Sequence, residues 1–158
     1  MGAVPGSPNI LRRVADEKRM RLRGVHHVTA ICRDLNRTIG LYRDVLGLGI
    51  VHDGPSDDDP GARHVWFCTA DGSLVSFMQY PQLPEGVVGV GSTHHFALRV
   101  DTLEELRAWR DYLRDRGVEC TEVLDRRTSH SVYLRDPDGH VVEIVTPETG
   151  FGTGGPPA

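Results

Sequence analysis

Three residues far apart in the chain have side chains suited to sharing a divalent cation: His27, His95 and Glu143. The histidines belong to adjacent pairs, His26-His27 and His94-His95, which lie 68 positions apart (94 − 26). Each pair opens an apolar run that reads as a β-strand. Neighbours on a strand face opposite ways. Phe96, Leu98 and Val100 share a face with His94, and Val28, Ala30 and Cys32 share one with His26. That face is expected to pack on a helix, so the second histidine of each pair should point into a concave interior. Glu143 sits in the apolar run Val141–Val145, where a carboxylate is costly to bury unless its charge is held. A cation is the simplest holder. Two imidazoles and one carboxylate suit Fe(II) with open coordination positions, and Zn, Mn, Ni and Co accept the same donors.

The residues around Glu143 suggest what would line such a site. Asp136-Pro137-Asp138-Gly139 lies between two apolar runs and reads as a tight hairpin, with Gly139 in the left-handed conformation. If Pro137–Gly139 is the loop, Tyr133 pairs across from Glu143 and sets a phenol beside the carboxylate. Tyr133 is a candidate hydrogen-bond donor to a bound ligand. His130, which precedes the same strand, is a candidate rim residue and acid/base catalyst, since imidazole titrates near neutrality. Arg126 and Arg127 both offer a bidentate grip on a substrate carboxylate. Asp57-Asp58-Asp59 lacks the spacing of a calcium loop and reads as solvated. His52, His64 and His140 are given nothing beyond rim contacts.

The elements that position these residues recur. Residues 24–80 read as strand, helix and three strands. The strand is Val25–Cys32, and the helix Leu35–Val45 is capped by Asp34 and ended by Gly47. Strand Leu48–His52 and a hairpin of His64–Thr69 with Ser73–Tyr80 complete the unit. After a linker at 81–92, residues 93–147 repeat the order. The strand is Thr93–Val100, and the helix Leu103–Arg116 is capped by Asp101 or Thr102 and stopped by Gly117. The strand Val118–Leu124 and the Asp-Gly hairpin close the unit. An offset of 67 carries Asp71-Gly72 onto Asp138-Gly139, Trp66 onto Tyr133 and Ser76 onto Glu143. The fold class is therefore α+β, two βαβββ modules forming a curved mixed sheet around a metal site. Serine at 76 replaces the carboxylate of the other module and leaves one side of the ion open to guests. Residues 1–23 read as an N-terminal extension holding a short basic helix over Asn9–Arg23, and 148–158 as a flexible tail.

Composition removes several function classes. The 158 residues suffice for one domain with a real core. A formal charge of −4 and a pI near 6.0 give no electrostatic handle on nucleic acid or an anionic membrane. Cys32, Cys68 and Cys120 are odd in number and widely spaced, which excludes a Cys-x-x-Cys zinc ribbon and suits a reducing cytoplasm. No apolar run is long enough to span a bilayer, and the N-terminal residues lack the apolar stretch of a secretory signal.

Together these motifs resemble the vicinal oxygen chelate superfamily of glyoxalases, bleomycin resistance proteins and type I extradiol dioxygenases. The resemblance covers roughly residues 24–147. It is carried by Gly24 to Ile31 with Leu41 to Leu48, by His94 to Val100, and by the run from Asp125-Arg126 to Glu143. In length and ligand pattern the chain is similar to small single-domain L-DOPA 2,3-extradiol dioxygenases of antibiotic pathways. The resemblance implies Fe(II) on His27, His95 and Glu143, roles for His130 and Tyr133 near the catechol and dioxygen, cleavage to a muconic semialdehyde, and a homodimer. Two rivals share the fold: a glyoxalase-like metal-dependent lyase or isomerase, and a metal-free drug-binding resistance protein.

Overall fold

The computed structural model describes residue 22 and residues 24–147. The expected basic helix over Asn9–Arg23 and the tail from 148 onward lie outside the described residues. In the first module β1 (His27–Cys32) leads into α1 (Leu35–Ile39), followed by β2 (Gly49–Pro55), β3 (Arg63–Cys68) and β4 (Leu74–Gln79). In the second, β5 (His95–Arg99) leads into α2 (Leu103–Asp115), then β6 (Leu124–Asp125), β7 (His130–Arg135) and β8 (Val141–Val145). Each module forms a four-stranded mixed sheet, in the orders β1-β4-β3-β2 and β5-β8-β7-β6. The first strand of each module pairs in parallel with the last, and the remaining pairs are antiparallel.

Cap chemistry fixes the helix starts. The Asp34 carboxylate accepts the Asn36 amide at 2.8 Å. Thr102, not Asp101, caps α2: its hydroxyl accepts the Glu105 amide, and the Glu105 carboxylate accepts the amides of Asp101 and Thr102. This reciprocal box satisfies donors that a bare helix start leaves exposed. α2 turns Leu106 and Leu113, both fully buried, onto its sheet.

Strand β2 runs on to Pro55, three residues past the expected end at His52, and two elements change character. The first helix is α-helical only to Ile39 and widens into a π-helical turn over Gly40–Val45. This turn carries Leu41 and Tyr42 into the core. The expected strand Val118–Leu124 shrinks to Leu124–Asp125 and an isolated bridge between Cys120 and Leu134. The cause is Thr121: its amide donates to the Tyr133 carbonyl, but the Tyr133 amide donates to the Thr121 hydroxyl, so a side chain takes the place of a ladder carbonyl.

One core joins the modules. Tyr42 is fully buried, its ring centroid 4.7 Å from that of Phe77, 5.6 Å from Phe67 and 6.2 Å from Phe96 in the other module. Its hydroxyl donates to Asp136 Oδ2 at 3.2 Å, and Arg37 donates to the Pro137 carbonyl at 3.4 Å. The first helix is thereby tied to the β7–β8 turn. Strand alternation then leaves the opposite face of each sheet uncovered: His27, Thr29 and Ile31 on β1 and His95, Ala97 and Arg99 on β5 are exposed, while Val28, Ala30, Phe96 and Leu98 are half-buried.

Candidate metal centre and active site

The Asp-Gly hairpin sets the register of the site. Gly139 has φ +89°, Arg135 pairs with Val141, and Tyr133 lies opposite Glu143. On the other side of β8, Glu143 pairs with Ala97, two residues beyond His95. Side chains of Ser131, Tyr133, Glu143 and His95 therefore meet on the concave face. His95 Nε2 lies 2.9 Å from Glu143 Oε2. The other carboxylate oxygen accepts hydrogen bonds from Tyr133 Oη at 2.7 Å and from the buried Ser131 hydroxyl. Glu143 is 7% exposed, and its carboxylate is anchored at Oε1 while Oε2 faces His95.

The first histidine of each pair, to which the sequence argument gave no task, orients the second. The Nδ1 atoms of His94 and His95 are 2.8 Å apart, and those of His26 and His27 are 2.9 Å apart. With Nδ1 engaged from behind, His95 and His27 each present Nε2. A bonded partner on the far ring nitrogen is the arrangement that fixes tautomer and aim in metal-ligating histidines.

The donor set can be tested for fit. Two donors bound cis to one ion with bonds of about 2.1 Å stand about 3.0 Å apart, so the 2.9 Å between His95 Nε2 and Glu143 Oε2 suits a shared cation. The structure does not bring His27 to that pair. Its ring lies against Trp66, centroids 4.6 Å apart, and no group of three or more His, Cys, Asp or Glu able to hold a metal occurs among the described residues. One chain thus offers two donors on the second module and an exposed third on the corresponding face of the first. At the position equivalent to Glu143, Ser76 is fully buried and shares a 2.8 Å hydrogen bond with Thr29.

The remaining predicted residues separate. Arg126 lies over the Tyr133 ring, its guanidinium carbon 5.2 Å from the centroid, which puts a cation beside the site. Arg127 adopts a left-handed backbone, φ +69°, with its amide on Asp125 Oδ1. His130 is the first residue of β7, not a residue preceding it. Alternation groups it with the buried Val132 and Leu134, opposite Ser131 and Tyr133. Its main chain is fastened to Thr146 on both sides.

Several residues of consequence escaped the sequence reading. On β2 and β3, Trp66 Nε1 donates to His64 Nδ1 at 3.2 Å, and the His52 ring lies 6.4 Å from that of His64. This aromatic row continues from His27. The signal was present in His64-x-Trp66, whose period of two puts both on one face. In the hairpin turn, Asp136 also binds His140 Nδ1 at 2.8 Å. That hydrogen bond holds the His140 ring above its ordinary value, against the opposing effect of burial. Burial pushes the Cys32 thiol up to about 11, which makes it a poor nucleophile and metal ligand at neutral pH.

Comparison with known proteins agrees with this architecture. The Glyoxalase/Bleomycin resistance protein/Dioxygenase superfamily model matches residues 24–144. The "Putative ring-cleaving dioxygenase MhqA" of Bacillus subtilis is 26% identical over 140 residues, which are 87% of this chain and 44% of that protein. The chain therefore spans less than half the length of that relative. Metallothiol transferase FosB of Staphylococcus epidermidis is 26% identical over 80% of this chain and 84% of its own length. A glyoxylase/bleomycin resistance protein/dioxygenase domain from Frankia superposes with a TM-score of 0.71 at 18% identity, covering 82% of this chain and 96% of that one. The fosfomycin resistance protein FosX of Listeria monocytogenes, solved with Mn(II) and sulfate, has a TM-score of 0.62 at 21% identity, covering 82% and 96%. No helix among the described residues is long and apolar enough to cross a membrane. The paired βαβββ modules and the matched residues make this chain a member of the glyoxalase/bleomycin resistance/dioxygenase superfamily.

Proposed function

We propose that the protein is an Fe(II)-dependent extradiol dioxygenase that opens the ring of a catechol, and that it works as a homodimer. The observation that carries the reading is the His95–Glu143 pair at 2.9 Å, matched by an exposed His27 on the other module. Pairing the first module of one copy with the second module of another supplies the third donor. His95, Glu143 and His27 would hold the cation, whose charge when bound would favour the ionised catechol. The chain's own groups do the rest. Tyr133 and Ser131 fix the carboxylate at Oε1. Arg126, rather than Arg127, is aligned beside Tyr133 to receive a substrate carboxylate bidentately. L-DOPA is the substrate favoured by the resemblance, since it joins a catechol to such a carboxylate.

Mixing two inactive variants tests the assembly. His27→Ala and Glu143→Gln each remove one donor. A random mixture forms heterodimers with one intact site, and is expected to regain about a quarter of the native catechol-dependent oxygen uptake. No regain after subunit exchange, verified by mass, sinks the shared-site reading.

The strand faces also divide the labour of proton handling. Tyr133→Phe is expected to lower kcat about a hundredfold by removing the hydroxyl at Glu143. His130→Ala is expected to change it by less than about threefold, because β7 turns that residue to the other face. Steady-state oxygen consumption separates the two, and equal losses would contradict the assignment.

A second reading, metal-dependent transfer of a thiol, is supported by the 84% of the FosB length that this chain matches. Oxygen consumption with a catechol and no thiol favours ring cleavage.

A further inference from the structure

The first module's concave wall carries a hydrogen-bond donor with nothing to donate to among the described residues. A tryptophan indole N–H can only donate, and that of Trp66 points at His64 Nδ1 from 3.2 Å. Nδ1 must therefore be the acceptor, so the proton of the neutral ring is on Nε2. Burial keeps the ring neutral by holding its pKa below the ordinary histidine value. His64 Nε2 is buried and has no hydrogen-bond partner among the described residues. An orphaned buried donor costs about 1–3 kcal/mol, and native structures seldom leave one unused.

His64 also lines a cavity of about 320 Å³ with Val51, His52, Pro55, Ser56, Asp57, Asp58 and Trp66. Its walls are mainly apolar or aromatic. Asp57 and Asp58 at its exposed edge repel an anionic guest. The cavity and His27 are connected through Trp66, whose ring touches those of both His27 and His64.

We propose that His64 is a ligand-recognition residue whose Nε2–H donates to an uncharged oxygen, a carbonyl or hydroxyl, on an aromatic ligand lodged against Val51, Pro55 and Trp66. The inference deepens the dioxygenase reading, on which it rests for joining this pocket to the ring-cleaving site. It adds a substrate feature: a neutral oxygen beyond the two catechol hydroxyls, at the end of the guest that faces the first module, which L-DOPA lacks and a catechol bearing a further carbonyl or hydroxyl supplies.

The test uses the full chain, freed of metal by chelation, so that binding is read apart from turnover. Long-range proton–nitrogen NMR spectra, assigned with His64→Gln, report the tautomer of His64 directly. Nε2–H is expected, and an Nδ1–H tautomer overturns the proposal. Acetophenone, an uncharged carbonyl, and benzoate, an anion of the same size, are then titrated. Acetophenone is expected to shift the His64 Nε2 resonance saturably and to bind at least about tenfold more tightly than benzoate. In His64→Phe, followed by the Trp66 indole resonance, acetophenone should bind about tenfold more weakly; in His64→Gln, which keeps a donor, within about threefold of native. Equal binding of the two probes, no saturable shift, or undiminished acetophenone binding by a folded His64→Phe each refute it. Failure of the dioxygenase reading looks different: acetophenone binds as expected, and the iron-loaded protein consumes no oxygen with catechols.

Discussion

Replacing Glu143 with Gln is expected to strip the divalent cation and stop turnover together, with kcat/KM falling at least about a thousandfold. The substitution preserves shape. Its amide oxygen can still accept the hydroxyls of Ser131 and Tyr133, which hold Oε1 in the native protein. What vanishes is the negative charge beside His95 Nε2, 2.9 Å away. A neutral amide is a weak ligand for a hard divalent ion, and the variant keeps only one strong donor on the second module. Elemental analysis of protein reconstituted with Fe(II) should drop from near stoichiometric iron to a trace, while thermal unfolding of the metal-free variant stays close to that of metal-free native protein. Full iron occupancy with normal oxygen uptake would remove Glu143 from the centre.

Asp136→Ala should be the costliest single change to the fold, about 3–5 kcal/mol by urea unfolding. The side chain is completely buried and organises two modules at once. It accepts the Tyr42 hydroxyl at 3.2 Å, His140 Nδ1 at 2.8 Å, and the amides of Asp138 and His140 at 3.0 and 2.9 Å. Truncation orphans the buried Tyr42 hydroxyl and strips three half-buried donors of their acceptor. Burial already drives the Tyr42 phenol well above its usual range, so it cannot escape by ionising. The pair also predicts a pH dependence. The hydrogen bond that His140 donates to Asp136 raises the His140 pKa above 6.5, so this contribution is fully present below pH 6.5 and fades as pH climbs through the raised folded value. Asp136→Asn should flatten that part of the stability profile. A native profile level across this window, or one unchanged in the variant, would count against the pair.

Most of the architecture was readable because duplication leaves correlated marks. The His-His pairs, the Asp-Gly turns and the Ser76–Glu143 correspondence appear at the expected register, with Thr29 opposite Ser76 and Ala97 opposite Glu143. Alternation groups His27 with the exposed Thr29 and Ile31, and His95 with the exposed Ala97 and Arg99. The misses have local causes. Nothing in Gly40–Val45 distinguishes a π-helical turn from an α-helix, since both share apolar positions three and four apart. Thr121 interrupts its ladder through a side chain, which strand propensity does not register. Asp136 looked like an ordinary turn residue, and its role depends on Tyr42, 94 positions away. Whether His27 joins the other two residues depends on how modules associate, and local pattern carries no information about that.

The hydroxyl pair of Thr29 and Ser76 has a bearing on descent. A protein built from two copies of one unit can afford to let the copies specialise. By sealing the spot where its twin keeps an acid, the first copy would leave the proposed ion only His27. On the proposed assembly its other inward positions answer to the guest alone, while those of the twin answer to the guest and the ion together.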